Sequence, residues 1–261
     1  MNGIINPKFE HEHILRTTML NAINDMAHDY PVYSYDGYGN GIIKGCNLVA
    51  DGDRLKLEKG IILYAGEICY IREPIYIDYE ATEVFHSIKL RFSESVFKAG
   101  CSCRNVTLSN SSDMELMDNE MELCRFKLKA GSRLRSQYRS FNDFATEYDT
   151  VNIVNVKYAS PNGKTTLHPS ILRYFAKEAL HRHLQPLDQM FVLSILRDNE
   201  PVSKEFITAY LSMRLGVKNK EYNNEELFEM LGNALEEIQD GEAKNVDFAE
   251  NSRSNRGMLL D

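Results

Sequence analysis

Tryptophan is absent from this chain of 261 residues, and cysteine occurs only five times. A small, odd number of thiols in a chain this long implies no disulfide framework, so reduced cysteines are expected. Long apolar runs are also missing. None approaches the roughly 18 residues that a membrane span needs, and no membrane insertion is expected. The opening stretch, MNGIINPKFEHEH, turns polar within a few residues and lacks the apolar segment of a signal peptide. Surplus positive charge is lacking too: 30 Lys and Arg face 38 Asp and Glu, a net charge of −8. That sign argues against a diffuse nucleic-acid binder. What is present is ordinary for a globular protein. Hydrophobic residues make up 43% and charged residues 26%, enough to bury a core and to exclude collagen-like, low-complexity or wholly disordered chains.

Catalytic signatures are equally scarce. Gly37-x-Gly39-x-Gly41 imitates a phosphate loop, but a dinucleotide fingerprint follows a strand and opens a helix. Here a strand follows, so the glycines read as a turn. Cys101-x-Cys103 with Cys124 offers three thiolates, yet a single spacer within a strand sends two side chains to opposite faces. His181-x-His183 and His11-x-His13 diverge on a helix, where partners are three or four apart. The acid run Asp113–Glu122 has no glycine for the sharp turn of a calcium loop and reads as a solvated connection. No P-loop and no G-x-S-x-G elbow occur. No catalytic, cofactor-binding or metal-binding residue is assigned. A cell-wall glycan hydrolase would need two carboxylates about 5 to 9.5 Å apart, a distance that sequence does not supply.

Hydrophobic periodicity divides the chain into four parts, together an α+β protein. Residues 1–30 hold an N-terminal helix, expected over about 7–30, with Asn6 as cap and Pro7 in the first turn. Leu15, Met19, Ile23, Met26 and Tyr30 step along one face, the pattern either of a helix packed on its own domain or of a short helix-to-helix contact between subunits. Residues 31–160 read as a small antiparallel β-sandwich or barrel. Its strands are expected at Ile42–Val49, Leu55–Leu57, Ile61–Ala65, Ile68–Ile71, Ile75–Tyr79, Val84–Phe92, Asn105–Leu108, Leu123–Leu128 and Val151–Val156. Asp51-Gly52 and Gly66-Glu67 mark turns. Residues 165–241 read as a helical domain. Ser203 looks like a cap with Gly216 past the helix end, Asn223 with Glu226 resembles a capping box, and Gly241 closes the last helix. Residues 242–261 are polar and read as a disordered tail ending in the apolar hook Met258-Leu259-Leu260.

The β part carries a resemblance. Gly41-Ile42-Ile43-Lys44-Gly45-Cys46-Asn47-Leu48 resembles the G-I-I-x-G-C-x-V opening of a phage tail and baseplate module. Two hydrophobic runs with glycines follow, Leu55 to Gly60 and Ile61 to Ile68. Ile88–Phe92 comes next, and Glu122–Gly131 closes the module. The order and spacing agree over about 41–131. Lys59 stands where the module usually has proline, and several of its valine positions are Ile, Leu or Cys. The helices at 169–240 have no counterpart in it. The resemblance implies a β-module used as a structural adaptor in phage tails and contractile injection baseplates, with no catalytic residue. It also implies synthesis in the bacterial cytoplasm and assembly into a virion tail or tail-like particle. Gly45, Gly60, Gly66 and Gly131 would serve as turn or close-approach glycines of the module.

A non-enzymatic subunit that binds other tail or baseplate subunits, as a homo- or hetero-oligomer without nucleic acid, is therefore the expected function. A tail-fibre or receptor-binding adaptor is the nearest alternative, with Tyr33, Tyr35 and Tyr38 as sugar-stacking candidates. The expected interface includes Leu15, Met19, Ile23 and Met26 on the first helix. In the helical half, Phe175, Met190, Phe191, Phe206, Tyr210, Phe228 and Met230 exceed what a small core needs, and some are expected on the surface. Leu259 and Leu260 are expected to order on a neighbour.

Overall fold

The structure, a computed structural model, describes residues 7–9, 11 and 14–238, except 99, 100, 198, 199 and 219. The tail at 242–261, with Leu259 and Leu260, and the cap positions Asn6 and Gly241 lie outside the described residues.

The protein is α+β: an N-terminal helix, several largely antiparallel sheets, then a set of helices. Helix α1 (Thr17–Ser34) precedes β1 (Gly41–Gly45), β2 (Leu48–Asp51), β3 (Arg54–Leu57), β4 (Gly60–Tyr64), β5 (Glu67–Ile71) and β6 (Ile75–Asp78). Next come β7 (Phe85–Phe92), β8 (Val96–Lys98), β9 (Cys101–Cys103), β10 (Val106–Ser111) and β11 (Glu120–Lys127). A 3-10 turn at Phe141–Ala145 leads to β12 (Tyr158–Ala159) and β13 (Thr165–Thr166). Helices α2 (Pro169–Ala179), α3 (Pro186–Arg197), α4 (Lys204–Leu215) and α5 (Asn224–Glu237) complete the described chain. The sheets are ordered β13-β12-β1-β4-β5, β10-β7-β11, β2-β3-β6 and β8-β9. Among the described strand pairings only β1–β12 is parallel, and an isolated parallel bridge joins Arg135 to Thr150.

Local chemistry explains most boundaries. Ala65 and Gly66 both have positive φ (51° and 75°), the pattern of the two-residue turns that match strand twist, so β4 and β5 form a tight hairpin. Gly52, at φ 62°, does the same between β2 and β3. The single strand expected over Ile42–Val49 is two strands in different sheets. Gly45 (φ 70°) and Cys46 (φ 55°) are consecutive left-handed residues that redirect the chain between them. Gly60 lies inside β4 opposite Gly45 and not in a turn. A Cβ there would strike the Cys46 sulfur and backbone nitrogen, so glycine permits the close approach.

Val151–Val156 is not a strand. Val151, Ile153, Val154 and Val156 are all buried, so no alternation exists. Isolated contacts hold the segment instead: Asn152 exchanges two backbone bonds with Arg125 (2.8 Å each), Tyr138 donates to the Val151 carbonyl (2.6 Å), and Asn152 Oδ1 accepts from the Val154 amide (2.9 Å). The first helix begins at Thr17, ten residues later than Asn6 and Pro7 suggested, and its N-cap position is Arg16, whose side chain makes no capping bond. It continues through Pro31, past the expected end. The helical half follows its caps closely. Ser203 Oγ accepts from the Phe206 amide (3.3 Å), Gly216 is left-handed, and Asn223 with Glu226 forms a capping box (2.8 and 2.7 Å). Pro186 opens α3, where its missing N–H costs nothing.

One hydrophobic cluster runs through strands and helices alike. Phe141, on the 3-10 turn, stacks on Phe228 of α5 (4.6 Å between centroids) and meets Phe175 of α2 edge-on (6.1 Å). Phe191 of α3 stacks on Tyr210 of α4 at 3.8 Å. Asn224, at the start of α5, donates to the Val156 carbonyl (3.0 Å).

Candidate subunit interface

Helix α1 is 18 residues long, and none of them is buried. Met19 and Ala22 are half-buried, while Leu20, Ile23, Met26, Tyr30 and Tyr33 are exposed, Met26 at 65% and Tyr30 at 78%. Leu15 is exposed just before the helix. In water an isolated helix of this length is marginal, since most helical stability comes from packing an apolar face. Here the apolar face is on the outside. Its stripe at spacings of three and four is what a helix presents to another helix.

The helical half divides differently from expectation. Phe175, Phe191, Tyr210 and Phe228 are core residues, not surface ones. Their rings fill the space around Phe141, which the preceding segment contributes, and a core with that extra wall consumes more aromatic volume than four helices alone. Phe206 and Met230 are half-buried against the same cluster. The outward apolar residues are instead Met190, Leu193 and Leu196 of α3, with Leu180 after α2 and Met213 on α4. Of these the sequence pattern singles out Met190 alone. The signal for Leu193 and Leu196 lies in the composition of α3, apolar on every side; such a helix is buried all round or docked on two faces. Phe191, Val192 and Ile195 turn inward, and Met190, Leu193 and Leu196 occupy the opposite face.

Tyr35 and Tyr38 pack edge-on (5.3 Å) over a small second cluster of Ile43, Leu63 and Ala159. Only Tyr33 of the three tyrosines is exposed. Gly66 and Gly131 have positive φ and occupy turns.

The densest charge cluster lies on β7 and β11. Glu120 accepts from Arg91 Nε (3.0 Å) and Nη2 (2.6 Å), and from the Met117 amide (3.2 Å); Lys89 Nζ is 3.6 Å away. Lys89, nearly fully buried, also donates to the Glu115 carbonyl, so the acid-rich loop folds over it. Burial raises the Glu120 carboxyl, but the Arg91 and Met117 bonds and the Lys89 charge outweigh that and hold it below its usual range. Glu122 is buried beside Arg125 (2.7 Å), and desolvation pushes its carboxyl up against that cation. Arg125 also reaches Glu225 of α5 (3.0 Å), which tethers sheet to helix. Two carboxylates with opposed shifts resemble an acid and base pair. Here each is committed to an arginine. Among the described residues no three of His, Cys, Asp and Glu converge as a metal site. Cys124 is fully buried on β11 while Cys103 is exposed on β9. Burial pushes the Cys46 thiol up to about 12 and raises Cys124 further, so both stay protonated.

No protein-family model and no curated protein sequence matches this chain. Among solved structures, a crystal structure of TssK has 10% identity and a TM-score of 0.38, covering 87% of this chain and 71% of that one. The TssK-TssF-TssG baseplate subcomplex of the type VI secretion system, seen by cryo-electron microscopy, has 12% identity and a TM-score of 0.39, covering 90% of this chain and 100% of that one. At these scores neither likeness establishes a shared fold or a shared role. No helix among the described residues is long and apolar enough to cross a membrane.

Proposed function

We propose that this chain is a non-enzymatic structural subunit of a contractile injection baseplate, of a phage tail or a tail-like particle, and that it acts by binding neighbouring subunits. The observation that carries the reading is α1, a helix of 18 residues with an apolar stripe and no buried residue. A helix in that state completes its packing on another chain. The β-module resemblance over 41–131 names the kind of assembly. The commitment of Glu120 and Glu122 to Arg91 and Arg125 weighs against a hydrolase. Leu193 and Leu196 of α3 supply a second candidate contact.

The test is Ile23→Glu combined with Met26→Glu in the full chain. Neither side chain is buried, so the circular dichroism of the folded body is retained. Incorporation into particles, or the native mass by light scattering, should fall. Unchanged incorporation and mass, together with glycan hydrolysis by the purified chain, overturns the reading in favour of an enzyme.

A further inference from the structure

Two cavities adjoin at Lys44 and Gly45. The larger, about 430 Å³, is lined by Lys44, Lys59, Arg72, Tyr70 and the Gly45–Gly60 backbone, among others. The smaller, about 130 Å³, continues past Gly45 to Arg173 and the first residues of α2. Four cations, Lys44, Lys59, Arg72 and Arg173, thus line these two adjoining cavities, and no acidic residue lines either. In a chain with eight more acids than bases, that segregation is not what average composition produces. The cations are also little used internally. Lys44 pairs with the exposed Glu200 at 3.3 Å, and Arg72 lies over the Tyr70 ring at 5.1 Å. Lys59, Arg72 and Arg173 make no ion pair among the described residues.

The floor of the groove explains its shape. Lys44, Ile61 and Tyr70 are in register across β1, β4 and β5, and the next row is Gly45, Gly60 and Ile71. A Cβ at either glycine would meet protein atoms, the Lys59 carbonyl at Gly45 and the Cys46 sulfur at Gly60, so the floor there is close-packed backbone. Ile61 and Tyr70 form an apolar wall, and the cations stand along the rim. The N-terminus of α2, with Pro169 and Ser170, closes the end beside Arg173 and adds the same sign of potential.

We infer that this groove binds an extended acidic segment of a partner subunit, with carboxylates on Lys59, Arg72, Lys44 and Arg173 and chain atoms over the Gly45–Gly60 floor. The inference rests on the assembly reading above but uses a different surface from α1, so the two can fail separately. Charge complementarity of this kind speeds encounter and sets register between partners.

The experiment measures binding of fluorescein-labelled hexaglutamate peptide to the full chain by anisotropy, with oligothymidylate of equal charge as the nucleic-acid control. Lys59→Glu combined with Arg72→Glu should weaken peptide binding by about tenfold or more. Arg173→Gln should weaken it less, and raising salt should weaken it further. Both substituted rim side chains are exposed, and a thermal melt confirms folding. Ile23→Glu with Met26→Glu should leave peptide affinity unchanged even where assembly is lost. Equal peptide affinity in the charge-reversed protein, or no binding by the unaltered chain, overturns the inference. Oligothymidylate bound as tightly as peptide overturns it in favour of a nucleic-acid site.

Discussion

His168 shows how much one side chain can decide. It caps α2 by accepting from the Ser170 amide at Nδ1 (3.0 Å), and it meets Tyr158 edge-on (4.9 Å between centroids). An Nδ1 that accepts must carry no proton, so the ring is neutral with its hydrogen on Nε2. Burial pushes its pKa down to about 3. A lowered histidine pKa contributes stability above the unfolded value near 6.5, and that stability is lost as pH falls toward about 3. Unfolding free energy should therefore decline below about pH 6.5, by up to about 1.4 kcal/mol per pH unit from this residue. Urea melts at several pH values test this. His168→Asn, which keeps a capping acceptor, should flatten the slope, and an unchanged slope removes His168 as its cause. Gly60 is the complementary case. Its type was visible in the sequence, but its reason, the Cys46 sulfur lying against it, belongs to pairing across the sheet.

Elements differ in how far their own residues specify them. α4 and α5 carry their start signals in Ser203, Asn223 and Glu226, and Gly216 ends α4, so local chemistry places them. α1 carries a stripe but no capping side chain and no buried residue, so little holds it in the isolated chain. Its backbone amides should exchange with solvent far faster than those of α2 or α5 in the free protein, and should become protected on assembly. Hydrogen exchange read by mass spectrometry on both states decides this. Strong protection of α1 in the free monomer would mean that its packing is already complete. The β4–β5 hairpin needs no partner, because Ala65-Gly66 sets its register directly.

Across the whole molecule the decisive feature is that the core does not stop where the strands do. Phe141 stands among Phe175 and Phe228, Arg125 of β11 reaches Glu225 of α5, and Asn224 reaches Val156. Sheets and helices should accordingly unfold together. Helix ellipticity and tyrosine fluorescence should give coincident urea transitions. Phe141→Ala should lower both midpoints in step and cost about 3–5 kcal/mol. Two separated transitions, with only one shifted by Phe141→Ala, would make the helical region an independent domain.

What this sequence determined by itself was local: the α+β order, the capped helices α4 and α5, the tight turns at Gly52 and Gly66, and the apolar stripe that holds Ile23 and Met26, though not the side it faces. Each depends on residues a few positions apart, through caps, positive φ or helical spacing. Tertiary structure alone decided which large side chains meet water. Phe175, Phe191, Tyr210 and Phe228 looked like surplus for a small helical bundle and are core, because Phe141 arrives from outside it. Leu193 and Leu196 are exposed, because α3 turns only one of its two apolar faces inward. The basic groove is legible in no single stretch, since Lys44, Lys59, Arg72 and Arg173 are distant in sequence. Only the pairing of β1, β4 and β5 against the start of α2 brings them together.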